Sequence, residues 1–402
     1  MDQYLGGALP ALGAALSNPQ PGSPLFLSRL VAAAREHLDA DIGFLCEFDG
    51  SAKVVRKVDG TVHGQEVGVG TSFPLDETYC RRLTSGELPS VVHDGRNDPR
   101  VRDLPITREL DIGTYIGVPV NLPDGSLYGT LCCISHEVDR SIHERDVKFM
   151  RVLGALIGNE LAEQRAADQE HRSKLDRIGR LTGSLRVVYQ PVVELDGGAL
   201  VGMEALARFD TDPPRSPDQW FADAWSVGLG AQLELAAVRA ALSQRGRLSS
   251  DLYMAINASP IVLQSQALLD ELYAVRGGPV LLEVTEHAAV NEYGPLMQAL
   301  ASCRACGVRI AVDDFGAGYS GLSHVLRISP NVLKLDMQLT RDIDRDGAKQ
   351  ALASATVGFA AKAGVDIIAE GVENAAEAGM LREIGVRYGQ GFHFGRPGPL
   401  PH

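Results

Sequence analysis

The sequence predicts two folded units, an α+β unit followed by an α/β unit of the (β/α)8-like barrel kind whose first strand runs antiparallel. Three observations carry this. At 402 residues the chain exceeds what one ordinary core serves, and typical domain size gives two or three. Short apolar runs, each closed by a polar residue, recur eight times through the second half with helical segments between most of them, the grammar of a barrel with working residues at its strand ends. Between the halves a helical pattern turns strongly polar from Glu163 to Arg177. No core can pack on that stretch, which puts the domain boundary near residue 170.

In chain order, residues 1–23 are rich in Gly, Pro and Ser, close with NPQPGS, and read as a flexible N-terminal extension. A helical pattern through Leu25, Leu27, Leu30, Ala33 and Leu38 leads into the strand-like runs IGFLCEF, TYIGVPVNL and LYGTLCCIS. Pro123-Asp124-Gly125 between the last two signals a hairpin. Helix resumes after Ser141, with Val147, Met150, Leu153, Ile157 and Leu161 three or four residues apart. It is expected to connect the units over 142–182. The barrel runs are VVYQP, LVGMEAL, LYMAINAS, PVLLEVTE, VRIAVDDFG, NVLKLD, VDIIAEGVE and VRYGQGF. Among the intervening helical segments, ADAWSVGLGAQLELAAVRAAL reads as one stretch and GAKQALASATVGFAAKAG as another. Only Asp196-Gly197-Gly198 and its neighbours separate the first two runs, too little for a parallel crossover, so that pair is expected to be antiparallel.

Composition narrows the function. A formal charge of −13 would repel nucleic-acid polymers and anionic membranes. A small phosphate ligand stays compatible if cations invert the local field. Six cysteines lack the spacing of a disulfide framework and suit a reducing cytoplasm. No stretch approaches the roughly 20 apolar residues that span a bilayer, and Asp2 stands where a signal peptide would carry basic residues. The expectation is a cytoplasmic protein without a membrane partner.

The residues closing the runs are Glu204, Asn257, Glu283, Asp313-Asp314, Lys334, Glu370 and Gln390. A closed barrel brings them to one rim, where so many carboxylates repel one another unless cations occupy the ring. Oxygen donors without His or Cys favour Mg²⁺ or Mn²⁺ over zinc. Adjacent Asp313 and Asp314 can serve two ions, the layout for in-line attack of water on a phosphodiester.

On these residues the second half resembles the EAL family of cyclic di-GMP phosphodiesterases. The resemblance covers 185–397 and rests on Glu204-Ala205-Leu206 with DDFGAGYSGL (313–322), LKLD (333–336), AEGVE (369–373) and QGFHFGRP (390–397). It implies an EAL phosphodiesterase domain over 183–402 that converts cyclic di-GMP to linear pGpG. It further implies Glu204, Asn257, Glu283 and Asp313 as ligands of one metal, and Asp313, Asp314 and Glu370 as ligands of a second. Glu370 would also handle the proton of the attacking water, with Lys334 holding that water or the developing charge, and Asp314 completing the catalytic set. Gln190, Leu206, Arg208 and Gln390 would meet the substrate. Glu286, Ser320 and Glu373 would support the loop after Asp314. The loop carries Ala317 and Gly321 where the family usually has Thr and Ser, and SPDQWFADAWSVG replaces the usual FIPxAE wording. Some family members bind cyclic di-GMP without cutting it and signal to a protein partner. Those typically lack metal ligands, and this sequence lacks none, so the enzyme is the reading taken here and the receptor its alternative.

The segment 24–165 resembles a GAF domain, chiefly through TYIGVPVNLPDGSLYGTLCCIS (114–135). That implies a sensory unit and a homodimer, with either an unknown small-molecule ligand or none, since GAF domains as a class bind cyclic nucleotides, chromophores, haem or nothing. Cys80 reads as a buried small hydrophobe. Cys303 and Cys306 form a CxxC with no second pair to make a zinc site, and packing is expected of them. His63 and His93 read as surface residues.

Overall fold

The computed structural model describes residues 23, 25–61, 67–275, 278–284, 293–316 and 322–400, the side chains of 182 and 322–324 apart. The chain divides into two compact units between Glu170 and His171. Among the described residues no helix is long and apolar enough to cross a membrane.

In the first unit the helix Phe26–His37 precedes β1 (Ile42–Asp49), β2 (Ala52–Gly60), β3 (Ser72–Pro74), β4 (Val91–Val92), β5 (Thr114–Asn121) and β6 (Leu127–Ser135). These form one antiparallel sheet in the order β3-β2-β1-β6-β5-β4. The hairpin expected at Asp124-Gly125 joins β5 to β6, and Asp124 Oδ1 accepts from the Ser126 amide at 2.9 Å. Alternation along the strands gives the sheet two apolar faces. Leu45, Ile116, Val118 and Leu131 pack with Leu30, Met150, Leu153 and Ile157 of the helices on one side. Phe44, Cys46, Cys132 and Tyr115 face the loops and the short helix Tyr79–Thr84 on the other.

The helix Glu144–Gly179 runs for 36 residues. Every residue from 165 to 173 is exposed, as its polar composition requires.

The second unit is a closed barrel of eight strands: β7 (Leu185–Glu194), β8 (Leu200–Phe209), β9 (Tyr253–Ala258), β10 (Val280–Val284), β11 (Arg309–Phe315), β12 (Val332–Leu335), β13 (Asp366–Ala369) and β14 (Tyr388–Gln390). All eight apolar runs are strands. β7 is antiparallel to both neighbours, β8 and β14, and the other pairings are parallel. The interior is layered. Val192, Ala255, Leu281, Ala311, Val332 and Ile368 fill the lower barrel. The intervening Ile256, Leu282, Val312, Leu333 and Ala369 join the core outside it.

One expected helix is two. The stretch read as continuous through ADAWSVGLGAQLELAAVRAAL forms Pro217–Ser226 and Gly230–Leu242. Gly228, at φ 77°, turns the chain between them, a conformation other residues rarely adopt. His93 is also more than a surface residue, because its Nδ1 meets Asp139 O at 2.7 Å and fastens two loops.

Candidate functional site

The period of two that fills the lower barrel also builds the site. Two residues beyond Ala255, Leu281, Ala311, Val332 and Ile368 stand Asn257, Glu283, Asp313, Lys334 and Glu370, one layer nearer the C-terminal ends of their strands. Register aligns them: Glu283 pairs with Asn257 across β10 and β9, and Gln190 with Glu204 across β7 and β8.

Lys334 is the hub, with 1% of its surface exposed. Its Nζ lies 2.6 Å from Glu370 Oε1, 2.8 Å from Glu283 Oε2, 3.3 Å from Asp313 Oδ1 and 3.7 Å from Glu204 Oε2. Around this centre Asn257 Nδ2 donates to Glu204 Oε1 at 3.0 Å, and Gln390 Nε2 to Glu204 Oε2 at 2.5 Å and Gln190 Oε1 at 3.2 Å. Gln190 in turn donates to Gly395 O. The expected ring therefore closes, from residues up to 200 positions apart.

Adjacent strand residues normally face opposite ways, yet Asp313 and Asp314 are both brought to the ring. Asp314 adopts φ 55° inside β11, where the pairing with β12 slips between Val312 and Phe315. This bulge re-aims the second carboxylate, and its amide donates to Asp313 Oδ1 at 3.0 Å. Carboxylate oxygens of Asp313, Asp314 and Glu370 lie within 4.8 Å of one another.

Five carboxylates thus gather about one ammonium. Burial penalises their charge, and mutual repulsion compounds it. Burial with repulsion from Glu204, Asp313 and Glu370 pushes Glu283 well above the ordinary range. Burial likewise raises Glu370, to about 8, against the pull of Lys334. At Glu204 burial is outweighed by Lys334, Gln390 and Asn257, and the acid falls below its usual value. The ring is short of positive charge, and its donors are oxygens, so this donor set fits hard divalent cations.

Beside the ring, Asn257 forms part of the wall of a cavity of about 740 Å³ that Leu206 and Arg208 also line. Asp218, Phe221 and Glu234 also line it, and sequence reasoning missed them. The signal for Asp218 and Phe221 was the departure at SPDQWFADAW, read only as altered wording, while Glu234 lies in the next helix and carried none. Glu373 stands apart from the ring, half-exposed and accepting Arg341 Nη2 at 2.5 Å. Glu286 and Ser320, like Ala317, Gly321 and His63, lie outside the described residues. Cys303 is buried in the barrel core, and Cys306 Sγ donates to Ser302 O.

The family model described as EAL domain matches residues 176–397, and that described as GAF domain matches 25–161. The cyclic di-GMP phosphodiesterase RocR of Pseudomonas aeruginosa is 30% identical over 241 residues, which cover 55% of this chain and 59% of RocR. The bifunctional diguanylate cyclase/cyclic di-GMP phosphodiesterase MucR of the same organism is 31% identical over 223 residues, 52% of this chain and 33% of MucR. The chain spans less than two thirds of the length of either relative. A crystal structure of an EAL domain protein from Listeria monocytogenes EGD-e, 26% identical, covers 56% of this chain and 92% of its own with a TM-score of 0.50.

Proposed function

This chain belongs to the EAL domain family and carries a GAF domain ahead of the barrel, and on that premise we propose that it hydrolyses cyclic di-GMP to linear pGpG. The observation that carries the reading is the Lys334 ammonium held within 3.7 Å of four carboxylates, three on different strands and Glu370 directly after β13. A ring so rich in carboxylate is built for cations and a phosphate between them. Its relatives RocR and MucR are named as cyclic di-GMP phosphodiesterases.

Glu204, Asn257, Glu283 and Asp313 would hold one Mg²⁺ or Mn²⁺, and Asp313, Asp314 and Glu370 a second. When bound, such ions supply Lewis acidity and offset the charge of the phosphate. The chain's own residues do the rest. Arg208 and Leu206 receive the nucleotide in the cavity, Arg208 offering a guanidinium fork to a phosphate. Gln390 and Gln190 fix Glu204 and line the approach. Glu370 accepts the proton of the attacking water. Lys334, 2.6 Å away, orients that carboxylate and stabilises charge developing on the phosphate.

The domain limits follow the same reading: a sensory GAF-like unit over 24–165, a connecting helix over 142–182 and the phosphodiesterase over 183–402. The exposed polar middle of the helix supports a homodimer in which a partner helix lies along it, and the GAF domain is taken as regulator through an unidentified small-molecule ligand. Glu373, Glu286 and Ser320 are assigned to supporting the loop after Asp314. Six free cysteines support a cytoplasmic setting.

Nucleotide chromatography tests the proposal. Purified protein with Mg²⁺ or Mn²⁺ should yield pGpG, Ca²⁺ should fail because it takes looser, higher-coordinate geometry, and chelation should abolish the reaction. Full activity in excess EDTA would remove the metal mechanism. Tight binding without product would leave a cyclic di-GMP receptor.

A further inference from the structure

The N-terminal unit buries a second lysine, in surroundings unlike those of Lys334. Lys53 on β2 is 3% exposed, and among the described residues it makes no ion pair with a carboxylate. Its ammonium instead lies 4.6 Å from the centre of the Phe44 ring and 5.6 Å from that of Phe73. A buried charge without an anion is costly. Around it are Cys46, Cys80 and Cys132, all fully buried in the same core. Cys80 Sγ and Cys132 Sγ are 3.6 Å apart, and the Tyr115 hydroxyl meets Cys132 Sγ at 3.4 Å.

The three sulfurs are drawn from β1, the helix Tyr79–Thr84 and β6, so the cluster exists only in the fold. A buried ammonium neighbouring these thiols disfavours a bound metal cation and favours a thiolate, the nucleophilic form of cysteine. We propose that Cys80 is that thiolate, paired with Lys53, and that Cys80 and Cys132 form a redox couple that hydroperoxides close to a disulfide. The electrostatics agree. Burial opposes charge on Cys80, but the Cys132 thiol and the Lys53 ammonium outweigh it and bring Cys80 down to about 5. Burial holds Cys46 up at about 12 and Cys132 well above the ordinary thiol value.

The chemistry balances in two steps. The Cys80 thiolate attacks one oxygen of hydrogen peroxide, the O–O bond breaks, and Cys80 becomes a sulfenic acid as hydroxide leaves. The Cys132 thiol then attacks that sulfur, forming the S–S bond and releasing water that carries off its proton. Two thiol sulfurs are each oxidised by one electron, and the peroxide oxygens are reduced. The product ties the helix Tyr79–Thr84 to β6, which lies at the middle of the sheet between β1 and β5.

The test treats the full chain with hydrogen peroxide, denatures it in alkylating reagent and maps the peptides by mass spectrometry. A Cys80–Cys132 cross-link reversed by dithiothreitol is expected, with Cys46, Cys133 and Cys303 still alkylated. In Cys132→Ser, Cys80 should accumulate as a sulfenic acid captured by dimedone. Lys53→Met should slow oxidation of Cys80 about tenfold or more, because it removes the charge that holds the thiolate. Should Lys53→Met fail to fold, the thiolate ultraviolet absorbance of the native protein at neutral pH should be present and should be lost in Cys80→Ser. Oxidation of Cys133 or Cys303 ahead of Cys80, a Cys46 cross-link, an unchanged rate in Lys53→Met, or no absorbance difference would each overturn the proposal.

Discussion

Replacing Lys334 with methionine keeps a straight side chain and removes the one positive charge among the carboxylates that the described residues supply. The four contacts of 2.6 to 3.7 Å each have a gross attraction of about 4–6 kcal/mol at an effective dielectric near 20. Desolvation cancels much of that sum, so the gross figure is not the effect to expect. The relevant cost is that of leaving buried charge uncompensated, about 3–5 kcal/mol. For a barrel of this size the melting transition should fall by about 6–20 °C. The assay is thermal melting of wild type and Lys334→Met, each in chelator and in Mg²⁺. The deficit should be large in chelator and mostly recovered in Mg²⁺, since a divalent cation replaces the missing charge where the carboxylates converge. Arg309, whose pair with Asp366 is about 40% exposed, is the control. Arg309→Met should cost about 1 kcal/mol or less. An unchanged melt for Lys334→Met in chelator, or a deficit that Mg²⁺ leaves untouched, would refute the reading of the ring as a cation site.

Two further outcomes follow from the structure. Asp223, on the helix Pro217–Ser226, gathers Arg215 at 2.8 Å, Arg177 at 3.2 Å and Lys174 at 3.9 Å. Burial opposes its charge, but the arginines outweigh burial and hold its pKa below the ordinary 3.8. Its stabilisation is therefore present above that value and lost as pH falls through the depressed one. Asp223→Asn should cost about 2–3 kcal/mol at neutral pH, a difference in melting that closes below about pH 3.8. Light scattering of the full chain should report a dimer, and the isolated 183–402 barrel should differ from it in activity. A strict monomer, with the barrel as active as the full chain, would remove both the dimer and the regulatory role of the helix.

The barrel was legible because its strands are short apolar runs, each ended by the polar residue it delivers, and because the five residues between β7 and β8 force an antiparallel hairpin. The ring was legible for the same reason, since alternation in a closed barrel sends Asn257, Glu283, Asp313, Lys334 and Glu370 to one layer. What was not legible lay in patterns that alternation hides. β2 carries Lys53, Arg56, Lys57 and Asp59 among its valines, a mixture without an apolar run to mark a strand. The break at Gly228 was masked by helix formers on both sides. Asp218, Phe221 and Glu234 gain meaning only from the cavity they close, and the cations on Asp223 come from segments up to 49 residues away.

Glu370→Gln tests the central claim most directly, because it keeps the side chain's size while removing the charge that meets Lys334 and the Asp313-Asp314 pair. Calorimetric affinity for cyclic di-GMP and formation of pGpG are to be measured for wild type and variant under the same Mg²⁺ or Mn²⁺. Arg208, Gln190 and the ligands Glu204, Asn257, Glu283 and Asp313 remain, so binding should stay within about tenfold while hydrolysis falls by about 10²–10³ or more. Cleavage at the wild-type rate by Glu370→Gln would contradict the placement of Glu370, and tight binding by both proteins with no product from either would contradict catalysis itself.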